Sequence, residues 1–269
     1  MAITALQAAA SGMKALDVKL DVLANNLANI NTTGFKRSRT NFEDLLYQVK
    51  REPGVLNAND KPVPHGIVVG VGVAVAGTQL NFEQGTLDQT YNALDLAIQG
   101  EGFFQVQTID NGQEVTAFTR AGNFTINRDG DIVLGTSDGP LMEPNITLPV
   151  DAKDIVVSAD GRIQYKSPGD QTLQEAGQIL LARFVNPEGL KQIGKNLYID
   201  TDASGTSVPG PPQTDGFGDI RGGSLEMSNV EPVRELIELI KTQRGFELNS
   251  QSIQSADESL QVVTNLRRF

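Results

Sequence analysis

The first thirty residues carry apolar side chains at intervals of three and four. This spacing places them along one stripe of a helix, and its near-heptad period favours packing against another helix. The stripe consists of Ile3, Leu6, Ala10, Met13, Leu16, Leu20, Leu23, Leu27 and Ile30. A weaker stripe of Ala8, Ala15, Val18 and Val22 lies on the opposite side. We therefore predict a long N-terminal helix that needs partners on two sides.

The last forty residues predict a second long helix. Ser228 and Glu231 form a capping-box pattern, and Pro232 fits a first helical turn. One seam of this helix consists of Thr242, Phe246, Asn249, Ile253, Ala256, Leu260 and Val263, while Leu248, Val262 and Leu266 point elsewhere. A single antiparallel pair of such helices leaves apolar surface uncovered, which indicates docking of neighbouring subunits. The alternative is two helices that simply close on each other beside a globular domain.

Four asparagines lie within the seven residues from Asn25 to Asn31. Asparagine is unfavourable inside a helix, so we expect these amides to bond to neighbouring helices or backbone. Gly34 is then predicted to end the helix as its C-terminal cap. The predicted assembly interface comprises Leu16, Leu20, Leu23, Asn25, Asn26, Leu27, Asn29 and Ile30 on the first helix and Phe246, Asn249, Ile253, Leu260 and Val263 on the second.

The middle of the chain changes to the pattern of a β domain. Residues 47–66, with Pro53, Pro62 and Pro64, predict an extended connector. Valines alternate with Gly and Ala from Val69 to Ala76, which predicts a strand with one bare face. Five further strands are predicted within residues 103–106, 114–118, 123–126, 131–134 and 178–184, with turns at Asn111-Gly112, Asp129-Gly130 and Asp160-Gly161.

These elements predict an α+β fold in which the terminal helices pack as one discontinuous coiled-coil domain around an inserted, mainly antiparallel β domain. The predicted divisions are an N-terminal helix at 1–35, a connector and strand at 36–80, a β domain at 81–225 and a C-terminal helix at 226–269.

Composition limits the partners. The net charge is −11, and residues 41–225 hold twelve Lys/Arg against twenty-four acids, so nucleic acid is a poor partner. The absence of cysteine excludes disulfides and thiolate chemistry. The N-terminus lacks a basic region before an unbroken apolar block, and no run is long enough to span a bilayer. We therefore expect no cleaved leader and no membrane insertion.

Candidate chemistry in the sequence is weak, and we predict no metal, cofactor or catalytic residue. Asn127 to Asp131 resembles the middle of a calcium loop, but Thr125 and Thr136 occupy its anchoring positions, so a hairpin turn is favoured. His65 is the only histidine and lies in a Pro/Gly loop. With twenty-four acids in the middle segment, a pair of carboxylates there does not indicate glycan hydrolysis.

Three stretches resemble the bacterial flagellar rod and hook axial proteins. The thirteen residues from Ala24 to Lys36 match the family's N-terminal signature in register, and Leu94 to Phe104 resemble its central motif. Residues Gly223 to Val230, with Gln243 to Glu247 and Asn265 to Arg267, resemble its C-terminal motif. The resemblance therefore covers both ends and the middle of the chain.

The resemblance implies a structural subunit, not an enzyme, that polymerises into the distal rod of the flagellar basal body and transmits torque from motor to hook. It implies partners in other copies of the chain, in proximal rod and hook-side axial proteins, in a surrounding ring bushing where an outer membrane exists, and in the flagellar type III export apparatus. A proximal rod or hook-type paralogue is the alternative within this class. A secreted β-domain enzyme acting on the cell wall is the alternative from another class.

Overall fold

The computed structural model describes residues 2–54, 64–110, 112–149, 151–167, 172–214 and 216–266. Helix α1 (Ala2–Ala28) and helix α2 (Pro232–Leu266) lie near the two ends of the chain, and the strands lie between them. The chain divides into two compact units. The helical unit contains Met1–Ala28, Ser38–Gln79 and Glu231–Phe269, and the β unit contains Asn29–Arg37 and Leu80–Val230. The predicted α+β class, with a mainly antiparallel β portion, is confirmed.

In the part of it that the structure describes, the helical unit contains four strands in addition to the helices. They are β1 (Ser38–Asp44), β2 (Tyr47–Arg51), β3 (Ile67–Gly70) and β4 (Val73–Leu80). Strand β1 pairs with β4, and β2 pairs antiparallel with β3. This unit therefore includes much of the segment that the sequence set apart as connector and strand.

One prediction for this region is corrected. The predicted strand through Val69–Ala76 is two strands, β3 and β4, which are separated at Val71 and Gly72, and Gly72 has φ +140°. At the start of the predicted extended connector, Tyr47–Arg51 form a strand that pairs antiparallel with β3. Pro53 and Pro64 lie on either side of residues 55–63, and Pro62 lies outside the described residues.

Over its described residues, the β unit is built from sixteen short strands. They are β5 (Leu87–Gln89), β6 (Leu96–Gln99), β7 (Phe103–Asp110), β8 (Gln113–Thr119), β9 (Phe124–Ile126), β10 (Ile132–Leu134), β11 (Leu141–Glu143), β12 (Lys153–Val157), β13 (Arg162–Lys166), β14 (Leu173–Gln178), β15 (Leu181–Arg183), β16 (Lys191–Gly194), β17 (Leu197–Ile199), β18 (Val208–Gly210), β19 (Asp219–Gly222) and β20 (Ser224–Glu226). A 3-10 turn spans Pro187–Gly189.

One nine-stranded sheet dominates the β unit. Its order is β16-β17-β8-β7-β11-β10-β9, and β15 joins it by pairing with both β7 and β18. Strands β12, β13 and β14 form a separate antiparallel sheet, while β6 pairs with β19 and β5 with β20. The predicted Asp129-Gly130 turn is confirmed, since it connects the antiparallel strands β9 and β10.

Two apolar clusters fill the β unit. The larger includes Leu96, Phe104, Ile132 and Leu148, all fully buried. The smaller groups aromatic rings at edge-to-face angles, with Phe118 and Phe184 centroids 4.7 Å apart and Phe103 and Phe184 centroids 5.7 Å apart. Such pairs favour perpendicular rings because of the ring quadrupole. The buried aromatic residues are therefore concentrated in the β unit, as expected for a stable core.

Burial of Tyr198 in the smaller cluster predicts a loss of stability at alkaline pH. Desolvation raises the pKa of its phenol to about 12, from an ordinary value of 10.0. The unfolded chain therefore loses this proton first, so the free energy of unfolding is retained below pH 10 and falls as pH rises towards 12, by about 2–3 kcal/mol. Denaturant titrations of the parent and of Tyr198→Phe across this range test the effect. We expect a shallower decline for Tyr198→Phe, and equal slopes would contradict the assignment.

Both helix boundaries differ from the sequence prediction. Helix α1 ends at Ala28, not at Gly34, and turns follow it. Gly34 has φ +69°, and a Cβ there would lie 2.4 Å from the Ala121 backbone nitrogen, so this glycine permits close packing inside the β unit. Ser228 does not cap α2 either. Its hydroxyl accepts a hydrogen bond from the Val230 N–H. The helix begins at Pro232, so the predicted place of this proline in the first helical turn is confirmed.

Candidate assembly interface

Helices α1 and α2 pack antiparallel within the helical unit. Gly12 lies beside Asn249, and Gly245 lies beside Leu16, where a Cβ would be 3.3 Å from Leu16 Cδ1. Further along, Lys19 forms an ion pair with Glu238 at 3.1 Å. Residues further along α1 contact residues earlier in α2, so these contacts define a single antiparallel register for the helix pair.

The structure places the predicted interface residues in three settings. On α1, Leu23 and Asn26 are buried, Leu16, Leu20 and Leu27 are half-buried and Asn25 is exposed. On α2, Phe246, Asn249, Ile253 and Leu260 are half-buried, while the side chain of Val263 lies outside the described residues. Asn29 and Ile30 follow α1 and belong to the β unit. The two helices therefore bring together most of the predicted set, but not its last two members on the N-terminal side.

Asn26 joins three parts of the helical unit. Its amide oxygen accepts a hydrogen bond from the Ser38 N–H at 3.0 Å, and its nitrogen donates to the Ser38 carbonyl at 2.8 Å. The same nitrogen donates to Glu235 on α2 at 3.2 Å. Both Asn26 and Glu235 are buried, so these bonds replace hydration that the groups lose on folding. The expectation that the asparagines bond to a neighbouring helix and to backbone is confirmed for Asn26.

Part of the second face of α1 is covered by the same chain. The Ser11 hydroxyl accepts a hydrogen bond from the Val73 N–H at 3.2 Å. A Cβ at Gly72 would lie 2.0 Å from Ser11 Oγ and 3.3 Å from Ala8 Cα, so only glycine fits there. The bare face that the sequence predicted around Gly72 therefore allows close approach to α1. The second stripe of α1 does not depend entirely on neighbouring subunits.

Helix α2 keeps an exposed apolar face opposite its packed side. Val233, Ile237 and Ile240 recur at helical spacing with 69%, 48% and 57% of their surface exposed, and Leu236 lies beside them. The buried residues of the same stretch, Glu235 and Thr242, face away from this group. Leu46, directly before β2, and Tyr47 and Val49 within β2 are also exposed. Exposed apolar groups of this kind mark protein contact sites.

A buried ion cluster in the β unit was not predicted from the sequence. Lys36 Nζ lies 2.6 Å from Glu226 Oε1, and both side chains are fully buried. Arg120 Nη1 lies 3.4 Å from Glu226 Oε2, and its Nη2 donates to the Gly100 carbonyl at 2.9 Å. Burial lowers the pKa of both Lys36 and Arg120, and the charge of Glu226 opposes this shift. The carboxylate therefore keeps two buried cations paired.

The sequence contained a partial signal for this cluster. Lys36 ends the N-terminal signature next to buried Phe35, and Glu226 lies between two apolar residues of the C-terminal motif. A charged residue embedded in an otherwise apolar stretch indicates a buried partner of opposite charge. The local sequence pattern could not identify which residue is the partner, because 190 residues separate Lys36 and Glu226.

Within the described residues, no three acidic or histidine side chains lie close enough together to hold a metal ion. Neither α1 nor α2, over the part that is described, combines the length and hydropathy that a membrane span requires.

Three family models match the segments that carry these features. Residues 6–36 match the model described as flagella basal body rod protein. Residues 97–165 match the D1 domain of the flagellar hook protein FlgE/F/G, and residues 221–266 match the C-terminal part of the flagellar basal body rod FlgEFG protein. Lys36, Arg120 and Glu226 therefore fall in three different matched segments.

Whole-length relatives agree with these models. The flagellar basal-body rod protein FlgG of Caulobacter vibrioides is 45% identical over 98% of this chain and 99% of its own length. FlgG of Bacillus subtilis is 38% identical over 99% of this chain and 100% of its own length. The rod protein FlgF of Caulobacter vibrioides is 36% identical over 90% of this chain and 89% of its own length. At this identity and coverage, the chain belongs to the flagellar basal-body rod protein family, as its three motif stretches predicted.

Proposed function

We propose that this chain is a structural subunit of the distal rod of the bacterial flagellar basal body, where it polymerises and transmits torque from motor to hook. The exposed apolar face of α2 at Val233, Ile237 and Ile240 carries the proposal. Its occupant is a second copy of the chain, because a polymer of identical subunits requires contacts between different faces of the same molecule. The relatives named FlgG support the distal rod in particular. The protein is not an enzyme.

The packing of the helices suits this role. We infer that the antiparallel pair α1–α2 provides a discontinuous coiled-coil element, in which Leu16 lies beside Gly245 and Gly12 beside Asn249. The polymer covers the remaining apolar face of α2. Many modest contacts repeated in every subunit then resist rotation of one subunit against the next.

We also assign the neighbours of the subunit from its family. They are proximal rod proteins at one end, hook-side axial proteins at the other and a ring bushing around the rod where an outer membrane is present. The route to this position is the flagellar type III export apparatus. The acidic middle segment, with twenty-four acids, provides no surface for nucleic acid.

Localisation in isolated basal bodies tests the proposed function. The chain carrying an epitope in an exposed loop of the β unit is expressed in a strain that lacks its own copy, and purified basal bodies are labelled with gold-conjugated antibody. We expect restored motility and label on the distal rod. Label on the proximal rod or hook would favour the paralogous alternative, and absence of the chain from basal bodies would refute the proposal.

We further propose that the segment around residues 47–66 stiffens the polymer. Proline restricts its own backbone and that of the preceding residue, so a segment with Pro53, Pro62 and Pro64 loses less entropy when it docks. Strand β2 lies at the start of the segment and pairs with β3, which follows it directly, and these strands present exposed Tyr47, Val49 and Val68 for such docking.

Replacement of residues 57–64 by a Gly/Ser stretch of equal length tests this role. We expect the polymer to assemble but to bend more, because the replaced segment orders at a greater entropic cost. Electron micrographs of the two polymers give their persistence lengths. A variant tube as straight and stiff as the parent would show that the segment is a solvated linker.

A further inference from the structure

Three segments of the β unit, distant in sequence, are bound together by backbone hydrogen bonds. They are residues 33–37, 80–86 and 224–230, and we call them the clasp. The Gly34 N–H donates to the Glu226 carbonyl at 2.8 Å, and the Asn81 N–H donates to the Arg37 carbonyl at 2.8 Å. The Met227 N–H donates to the Thr86 carbonyl at 2.8 Å. Each segment is therefore bonded to both of the others.

A single side chain repeats this three-way connection. The Asn229 amide oxygen accepts a hydrogen bond from the Arg37 N–H at 2.8 Å. Its nitrogen donates to the Asn81 carbonyl at 2.9 Å and to the Glu83 carbonyl at 3.0 Å. All of the hydrogen-bonding capacity of this amide except one acceptor site is directed at the other two segments.

The buried ion cluster lies in the clasp. Glu226 Oε1 accepts from both Lys36 Nζ at 2.6 Å and the Gly85 N–H at 3.0 Å, and Lys36 also donates to the Glu83 carbonyl at 2.7 Å. Arg120, which lies in the neighbouring β8–β9 connection, completes the cluster by pairing with Glu226. Buried ion pairs add little net stability relative to apolar packing, but they tolerate little displacement, because separating the partners leaves a charge uncompensated. Such a cluster fixes the positions of the three clasp segments relative to one another more than it stabilises the fold.

The clasp lies where the chain passes between the two units. The chain crosses between them after Ala28, Arg37, Gln79 and Val230. The second crossing follows residues 33–37 directly, the third precedes residues 80–86 directly and the fourth follows residues 224–230 directly. The first crossing is only four residues before the clasp. Force carried along the polypeptide from one unit to the other therefore passes through these three segments.

We propose that the clasp is the force-transmitting joint of the subunit, in which Lys36, Glu226 and Asn229 act as positioning residues that make the separate chain crossings resist load as one body. This inference rests on the proposed function as a torque-transmitting rod. Because the three segments of the clasp are hydrogen-bonded to one another, they share a load that each would otherwise carry alone. A joint of this kind needs definite geometry more than a large contribution to folding.

Two variants loosen the clasp in different ways. Glu226→Gln keeps the shape and the acceptor for Gly85 but removes the charge between Lys36 and Arg120. Asn229→Ala removes the three hydrogen bonds of its amide without leaving a buried charge unpaired. The matched control is Glu175→Gln, the same chemical change at an exposed ion pair with Arg162 in the same unit. Should Glu226→Gln fail to fold, Asn229→Ala decides the question.

Hydrogen exchange on the purified chains gives the first readout. We expect the amides of Gly34, Asn81 and Met227 to exchange at least about tenfold faster in the variants, with amides of strand β7 unchanged. A contribution to folding stability alone would instead accelerate exchange across the whole β unit. Uniform acceleration, or no change in the clasp, would overturn the inference.

Rotation under load gives the second readout. In cells, we expect variant rods to assemble and to support swimming in dilute medium, with motility lost as viscosity rises, while Glu175→Gln cells match the parent. If the clasp amides of a variant exchange faster and cells with that variant still swim normally at high viscosity, the proposed role of the clasp in transmitting force is refuted. Should the parent chain be absent from basal bodies, the proposed function fails, whereas the exchange pattern on purified chains still reports on the clasp.

Discussion

Leu23→Asp is expected to abolish rod assembly and to separate α1 from α2, while the β unit stays folded. Leu23 is buried, and it lies on the same face of α1 as Lys19 and Asn26, whose side chains contact Glu238 and Glu235 on α2. An unpaired carboxylate at this position costs several kcal/mol unless it reaches water. Since isolated helices depend on packing for most of their stability, loss of the seam removes the helical structure as well. In a polymer, the same penalty recurs in every subunit.

Circular dichroism and electron microscopy measure the two parts of this result. The far-UV signal of the helices should fall in the purified variant, the aromatic near-UV signal of the β unit should persist and no tubes should form. Ala24→Asp is the matched control, because it places the same charge one residue further on, at an exposed position of the same helix. Leu20→Asp and Ile253→Asp, at half-buried positions, should have the same direction and a smaller effect. Normal motility with Leu23→Asp would show that the helix pair is not needed for assembly.

The sequence predicted the helices well because their signal is periodic and local. The stripe from Leu6 to Leu27 specifies a helix and its packed side together, and the structure buries Leu23 and half-buries its neighbours accordingly. The sequence also predicted that the Asn26 amide forms hydrogen bonds, because asparagine is unfavourable inside a helix unless its side chain has a partner. Its partners, Ser38 and Glu235, were not predictable, because they depend on how the chain returns.

The errors share a physical cause, which is competition from contacts distant in sequence. Gly34 has the local features of a helix cap, but tight packing against Ala121 determines its conformation instead. Ser228 and Glu231 match a capping box, yet Asn229 next to them bonds to Arg37 and Asn81, and the helix begins after these contacts. Lys36 and Glu226 form their pair across 190 residues. The motif stretches were recognised from the sequence, but their meeting in one clasp required the structure.

Gly122→Ala is expected to have the largest effect within the β unit. A Cβ at this position would lie 1.5 Å from the Leu96 carbonyl oxygen and 2.7 Å from its carbon. The clash is with backbone, not with a flexible side chain, so relief requires a strand to move. Strand β6 cannot move cheaply, because Leu96 is fully buried and its N–H donates to the Gly122 carbonyl at 2.9 Å. We expect a loss of about 3 kcal/mol or more in the free energy of unfolding.

Comparison with Gly112→Ala separates this clash from ordinary backbone strain. Gly112 has φ +82° and nothing within 4 Å of an added Cβ, so alanine there incurs only the cost of the left-handed conformation, about 1 kcal/mol. Denaturant titration of the parent and both variants, followed by the aromatic signal of the β unit, gives the three free energies. A Gly122→Ala variant no less stable than Gly112→Ala would contradict the close approach of Gly122 to Leu96. A much larger loss for Gly122→Ala would establish that the backbone contact between β6 and the β8–β9 connection determines the packing at the centre of this unit.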